Sequence, residues 1–247
     1  MRLLLINPNT MPEMTALVVR AIQPHLPPET TLVPVTGRFG AQYIASRSAA
    51  AIAAHAALDA FAEHGADCDG VYLACFGDPG LLALKELARV PVIGMAEASS
   101  RLAARQAERF SIVTGGERWG PMLREFLGSL GLAGRLAAVE TVAPTGADIA
   151  RDPDGSVTLL AEACNRTVAR DGAGAVILGG AGLAGLAARV QPHVSVPVIC
   201  SAEAGVTMLL ETLREPPAKP QSGDFALPAP VGSTGLSDSL SQLLANA

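Results

Sequence analysis

The chain has no run of lysine or arginine, and its 247 residues carry a formal net charge of −5. That excludes the basic footprint with which a protein holds nucleic acid. No apolar stretch approaches the roughly 20 residues needed to cross a bilayer. The apolar run in MRLLLINPNT is broken at once by Asn-Pro-Asn and is too short for a secretory signal, so a cytoplasmic protein is expected. The cysteines, Cys68, Cys75, Cys164 and Cys200, form no CxxC pair and have no histidine at metal-ligand spacing. They read as thiols rather than disulfides, and no metal is expected. The histidines are scattered, and no GxSxG elbow anchors a Ser-His-Asp triad.

What is present is apolar: 49% of residues are hydrophobic and 17% charged, enough for a sizeable core in one large or two small domains. The apolar runs are short, β-branched and bounded by Gly, Pro or Asn: RLLLINPN, TLVPVTG, GVYLACFGD, VPVIGM, FSIVTGG, AVILGG and VPVIC. Unbroken runs of this kind suit strands buried on both faces of a parallel sheet. Ala/Leu-rich segments of helical length lie between them, so the order is that of an α/β fold.

The order also repeats. LLLINPNT is echoed by FSIVTGGERW, YLACFGDPGL by VILGGAGLAG, and RVPVIGMAEAS by SVPVICSAEAG. The offset is about 105 residues, too long for a solenoid repeat. Two related halves follow, each a Rossmann-like (flavodoxin-like) unit with a mainly parallel sheet and with a ligand cleft at the strand ends between them. The first half is expected over 1–98, with 206–216 returning to it, and the second over 99–205. Residues 217–247 read as a Pro/Gly-rich arm and a short amphipathic helix with Leu236, Leu240, Leu243 and Leu244 on one face. That helix packs on its own chain or on a neighbour, and the apolar helix faces make a homo-oligomer an expectation.

Within LACFGDPG, Asp78-Pro79 reads as a helix start, with Asp as N-cap and Pro at the first helical position. Cys75 then sits between a strand end and a helix N-terminus, where the dipole and free amides favour a thiolate able to act as base or nucleophile. A buried structural thiol is the alternative. Asn9 and Thr10 in INPNT offer amide and hydroxyl groups to an anion or carbonyl, although Thr10 reads equally as an N-cap. Thr114 and Gly115 in VTGGER hold the matching place in the second half. Gly180, Ala181 and Gly182 in GGAGLAG bring backbone close to a small ligand. Gly180-x-Gly182-x-x-Gly185 with Glu203 beyond it also matches a dinucleotide fingerprint, but the mirror segment CFGDPGL lacks that pattern. Glu97 and Glu203 read as helix-start acids or cleft residues. Phe39 and Tyr43 are expected in a loop that covers the cleft.

INPNT, ACFGDPGL at 74–81, VPVIGMAEA ending at Ala98 and ILGGAGLAG at 177–185 together resemble the aspartate/glutamate/hydantoin racemases, in the hydantoin racemase branch. The resemblance covers roughly residues 1–210. It implies two pseudo-symmetric α/β halves, no cofactor, a small-molecule substrate such as a 5-substituted hydantoin, and a pair of cysteines facing each other across the cleft. One takes the proton from the stereogenic carbon and the other returns one to the opposite face. Cys75 matches the first cysteine, and the second would fall at Gly180, which has no side chain. Strand-end amides beside Asn9, Phe76, Gly180 and Ala181 would steady the enolate oxygen. Water, Cys200 or a residue of the 114–118 loop is then a candidate for the second face. A one-sided reaction is a further reading, since a malonate decarboxylase of the wider superfamily works with one cysteine, and so is ligand binding without catalysis.

Overall fold

The structure, a computed structural model, describes residues 1–246; the last residue of the expected arm, 247, lies outside them. Four strands, β1 (Arg2–Asn7), β2 (Thr31–Thr36), β3 (Gly70–Leu73) and β4 (Val92–Gly94), form one all-parallel sheet in the order β2-β1-β3-β4. A second sheet repeats the pattern as β6-β5-β7-β8, from β5 (Phe110–Gly115), β6 (Leu136–Val142), β7 (Ala175–Gly179) and β8 (Val198–Cys200). Every residue of β3, β5 and β7 is buried, as their continuous apolar runs require. Pro34, which has no N–H to give, lies in the edge strand β2.

The helices are α1 (Pro12–Ile22), α2 (Arg47–His64), α3 (Leu81–Leu87), α4 (Met95–Gln106), α5 (Trp119–Ser129), α6 (Gly146–Arg151), α7 (Pro153–Asp171), α8 (Ala187–Val190), α9 (Ser201–Thr212) and α10 (Asp238–Ala245). Two of them cross between the sheets. α4 follows β4 yet packs on β7 as well as on β4, while α9 follows β8 and packs on β3 and β4. The two also lie against each other, so one apolar core runs from Leu5 and Tyr72 through Met95 to Ile112 and Leu178. None of the helices described is long and apolar enough to cross a membrane.

β6 is absent from the seven apolar runs of the sequence. It is an edge strand, and its Glu140 faces outward to Arg166 at 3.0 Å and Arg170 at 3.1 Å, so charge interrupts the apolar pattern. The terminal helix α10 packs on α2 of its own chain. Leu240 is 2% exposed, and Leu243 and Leu244 rest on the core of the first sheet. Lys219 in the arm donates to the carbonyls of Lys85 and Glu86 at the end of α3, at 2.7 and 2.6 Å. A docked α10 predicts that Leu240→Ala lowers stability by about 2–4 kcal/mol in urea unfolding, the cost of emptying a buried leucine site. A helix loose in solvent would lose almost nothing.

Candidate active site

In both sheets the chain turns to opposite sides on leaving the two central strands, which opens a crevice at their carboxyl ends. The crevices of the two sheets face each other and enclose one cavity of about 60 Å³. From the first half it is lined by Asn9 after β1 and by Ala74, Cys75 and Phe76 after β3. From the second half come Thr114 and Gly115 at the end of β5 and Gly179, Gly180, Ala181, Gly182 and Leu183 after β7. Thus Cys75, Asn9, Phe76, Thr114, Gly115, Gly180, Ala181 and Gly182 are brought together. Thr10 is not: its N–H donates to the Ala41 carbonyl at 3.3 Å, it lies outside the lining, and Met11 rather than Thr10 occupies the N-cap of α1.

Asn7 and Asn9 set the first wall. Asn7 Nδ2 donates to Asn9 Oδ1 at 2.8 Å and Thr15 Oγ1 at 2.9 Å, so Asn7 is a brace buried beneath the loop. Asn9 Oδ1 also accepts from the Met11 N–H at 2.9 Å. With its oxygen held by two donors, Asn9 keeps its Nδ2 as the group left for the cavity. Phe76 and Ala181 contribute N–H groups that make no hydrogen bond to another described residue. The Gly180 N–H, expected to serve a ligand, is instead taken by Ser201 Oγ at 3.2 Å.

The expected helix start at Asp78-Pro79 is not formed. α3 begins at Leu81 with Gly80 as N-cap, and Asp78 caps a different helix. Its carboxylate accepts from Ala96 N at 2.9 Å and Glu97 N at 2.7 Å, the free amides at the start of α4. Burial pushes the Asp78 carboxyl up to about 8, against the pull of these two N–H groups. Its backbone has φ +47°, the one non-glycine residue described with positive φ. A side chain at Gly94 would overlap this carboxylate, which fixes glycine there.

The Cys75 thiol also departs from expectation. It is 8% exposed, and burial first and the Asp78 charge second raise it far above the ordinary thiol range. Desolvation outweighs any helix-end stabilisation, because α3 starts only at Leu81 and the nearest carboxylate repels a thiolate. Cys200 is buried and lies outside the cavity, its thiol pushed up to about 11 by burial, so it does not face Cys75. Cys68 and Cys164 are buried elsewhere.

Other sequence expectations separate cleanly. Tyr43 lines the cavity, and its hydroxyl donates to the Gly115 carbonyl at 3.2 Å, closing the loop before α2 onto the other half. Phe39 does not reach the cavity; it stacks edge-on with His55, ring centroids 4.8 Å apart. Glu97 is tied down by Lys85 at 2.6 Å and Arg101 at 3.1 Å, and Glu203 meets His25 at 3.7 Å, so neither lines the site. The dinucleotide arrangement is not built. A short 3-10 turn, Ala181–Leu183, follows β7, then only the four-residue α8, with no long helix aimed at a pyrophosphate. Among the described residues no group of three or more His, Cys, Asp or Glu is placed to hold a metal.

Sequence reasoning missed Met11, Met14, Ile44, Trp119, Gly146 and Ala147 as lining residues. Trp119 opens α5 just after VTGGER, and that adjacency was the only signal available for it. Among the described residues no Asp, Glu, Lys, Arg or His side chain lines the cavity. Arg38 is held by Asp59 through two hydrogen bonds of 2.8 Å, and Arg47 by Glu125. The polar equipment is one thiol, a few hydroxyls and amides, and backbone N–H groups.

A cleft between two parallel-sheet halves, with a buried thiol at one strand end, defines the class of protein. The chain belongs to the Asp/Glu/hydantoin racemase family, whose model matches residues 3–209. It is 33% identical over 207 residues to a hydantoin racemase of Pseudomonas sp. (strain NS671), covering 83% of each chain. The allantoin racemase structure from Klebsiella pneumoniae superposes with a TM-score of 0.89 at 35% identity, covering 97% of this chain and 98% of that one. The Pseudomonas fluorescens allantoin racemase gives 0.91 at 27% identity, covering 95% and 100%.

Two predictions arise from this geometry. Gly180 has φ +133° and ψ 145°, a conformation essentially confined to glycine. A Cβ there would find room, 3.5 Å from Leu183 Cδ1, so the obstacle is the backbone. Gly180→Ala is expected to cost about 1–3 kcal/mol in urea unfolding. The second concerns the thiol. Alkylation of Cys75 by iodoacetamide, followed by mass spectrometry, should climb about tenfold per pH unit from pH 7 to 10 without a plateau. Asp78 is ionised in the alkaline range where the thiol titrates, so its charge opposes thiolate formation there. Asp78→Asn removes that charge and should move the curve to lower pH.

Proposed function

We propose that the chain exchanges and inverts the proton at a carbon next to a carbonyl in a neutral cyclic ureide, a 5-substituted hydantoin or allantoin, with Cys75 as the acid–base group. The observation that carries this reading is a cavity with one thiol and no charged lining side chain. A free amino acid or a dicarboxylate would have to be desolvated there without a cationic partner, at a cost of several kcal/mol. A ureide ring carries no charge and presents carbonyl oxygens and N–H groups that amides and hydroxyls can match. The relatives named hydantoin and allantoin racemases support the same substrate class.

In this reading the Cys75 thiolate takes the proton from C5, and the electron pair moves onto the adjacent carbonyl oxygen as an enolate. Asn9 Nδ2 and the N–H groups of Phe76 and Ala181 are the donors available to that oxygen. No cofactor is needed, because the substrate's own carbonyl delocalises the carbanion. The small cavity, narrowed by the Tyr43 contact to Gly115, limits how much water surrounds these groups, which strengthens the interactions. A raised thiol pKa makes the thiolate scarce at neutral pH but strongly basic once formed, as a weakly acidic C–H requires.

Reading Gly180 as the counterpart of Cys75 is supported by the matching N–H bonds of Val71 to Pro91 and of Val176 to Pro197, four residues before each. A one-sided reaction, decarboxylation with protonation by Cys75, is the second reading that Gly180 favours. The cavity's lack of cations weighs against a malonate. The deciding experiment incubates each enantiomer of 5-isobutylhydantoin and of allantoin with the protein in D₂O. Loss of the C5 proton is followed by NMR, and optical rotation is measured alongside. Exchange is expected, and Cys75→Ala should slow it by about 10²–10⁴-fold. Equal exchange by the variant would remove Cys75 from the reaction. Turnover of disubstituted malonates in place of exchange would select the lyase.

A further inference from the structure

Inversion requires a proton source on each face of the enolate, and the face opposite Cys75 has no thiol. The structure points to one group there. Thr114, at the carboxyl end of β5, is 4% exposed and lines the cavity. Its Oγ1 lies 3.8 Å from the place where a Cβ of residue 180 would stand. The Thr114 hydroxyl makes no hydrogen bond to another described side chain. Ser201, whose Oγ accepts from the Gly180 N–H at 3.2 Å, lies outside the cavity lining. Cys200, the other thiol at a strand end of this half, lies outside the cavity. A hydroxyl with no side-chain partner, at the edge of the cavity beside the strand-end amides, is suited to holding a water.

We infer that Thr114 holds the water that protonates the substrate on the face opposite Cys75, in the space left by the absent side chain of Gly180. The inference rests on the proton-exchange reading above. The Cys75 thiolate takes the C5 proton and becomes a thiol, and the electron pair rests on the carbonyl oxygen. C5 then takes a proton from the water on Thr114, and the electron pair returns to the C5–H bond. The hydroxide left behind takes the thiol proton, which regenerates water and thiolate. Nothing is oxidised or reduced. Water is a much weaker acid than a thiol, so reprotonation by Cys75 on its own face should outpace inversion.

The experiment uses single enantiomers of 5-isobutylhydantoin and allantoin in D₂O with wild type, Thr114→Val, Thr114→Ser and Cys75→Ala. Wild type should exchange C5–H with retention, faster than it inverts, from the enantiomer whose C5–H faces Cys75. Thr114→Val should lower the ratio of inversion to exchange with retention about tenfold or more, because that exchange proceeds on the Cys75 face. Thr114→Ser, which keeps the hydroxyl, should recover most of the inversion. Inversion unchanged in Thr114→Val would overturn the inference. So would exchange and inversion falling together with no recovery in Thr114→Ser, the signature of a structural role. If wild type exchanges neither enantiomer of either compound, the proton-exchange reading itself fails and the inference falls with it.

Discussion

The carboxylate of Asp78 at the start of α4 is the interaction on which the site depends. It is buried, it satisfies two of the amides that a helix must leave free at its first turn, and it belongs to the loop that carries Cys75. A single side chain thereby fixes the path of the thiol loop and the position of a helix packed against the other sheet. Burial is the larger cause of the raised thiol, and the Asp78 charge adds to it where that carboxyl is ionised. Structure and reactivity are coupled in this loop: the packing that buries the anchor also buries the thiol.

The two halves do not merely abut. α4 and α9 each leave one sheet and pack toward the other, and several side chains complete the joint at the cleft. Phe76 from the first half packs against Gly179 of the second, where a side chain on Gly179 would overlap the ring. Tyr43 reaches from the first half to the Gly115 carbonyl, and Arg47 meets Glu125 at the rim. These contacts leave a small cavity whose walls come from both sheets. Around it Arg38, Arg47 and Lys85 are engaged with Asp59, Glu125 and Glu97 and do not reach the cavity.

Much of this was legible in the sequence because strand ends in a doubly repeated α/β chain announce themselves. The apolar runs stop at Asn, Cys, Thr or Gly, and those stops are where the cavity forms. The contribution of Cys75 and of the Gly180 loop could be read for that reason. What escaped was set by contacts distant along the chain. Asp78-Pro79 has the local chemistry of a helix start, but a partner eighteen residues on offered better-placed amides. Thr10 had a hydroxyl at the right place in the sequence, yet Pro12 and the Asn7–Asn9 brace set where α1 begins. β6 was hidden by outward charge, Phe39 by a histidine partner on α2, and Trp119 by having no pattern of its own to distinguish it from core.

The last segments of the chain complete its first part. α9 covers β3 and β4, α10 lies along α2, and Lys219 closes the end of α3. On a ribosome the first sheet is therefore made early and finished late, while the second sheet has all its strands before α9 appears. Until α9, the arm and α10 emerge, the apolar faces they cover stay open to water. The thiol loop sits in that half, and the cavity around Cys75 takes its walls from residues as far apart along the chain as Asn9 and Leu183.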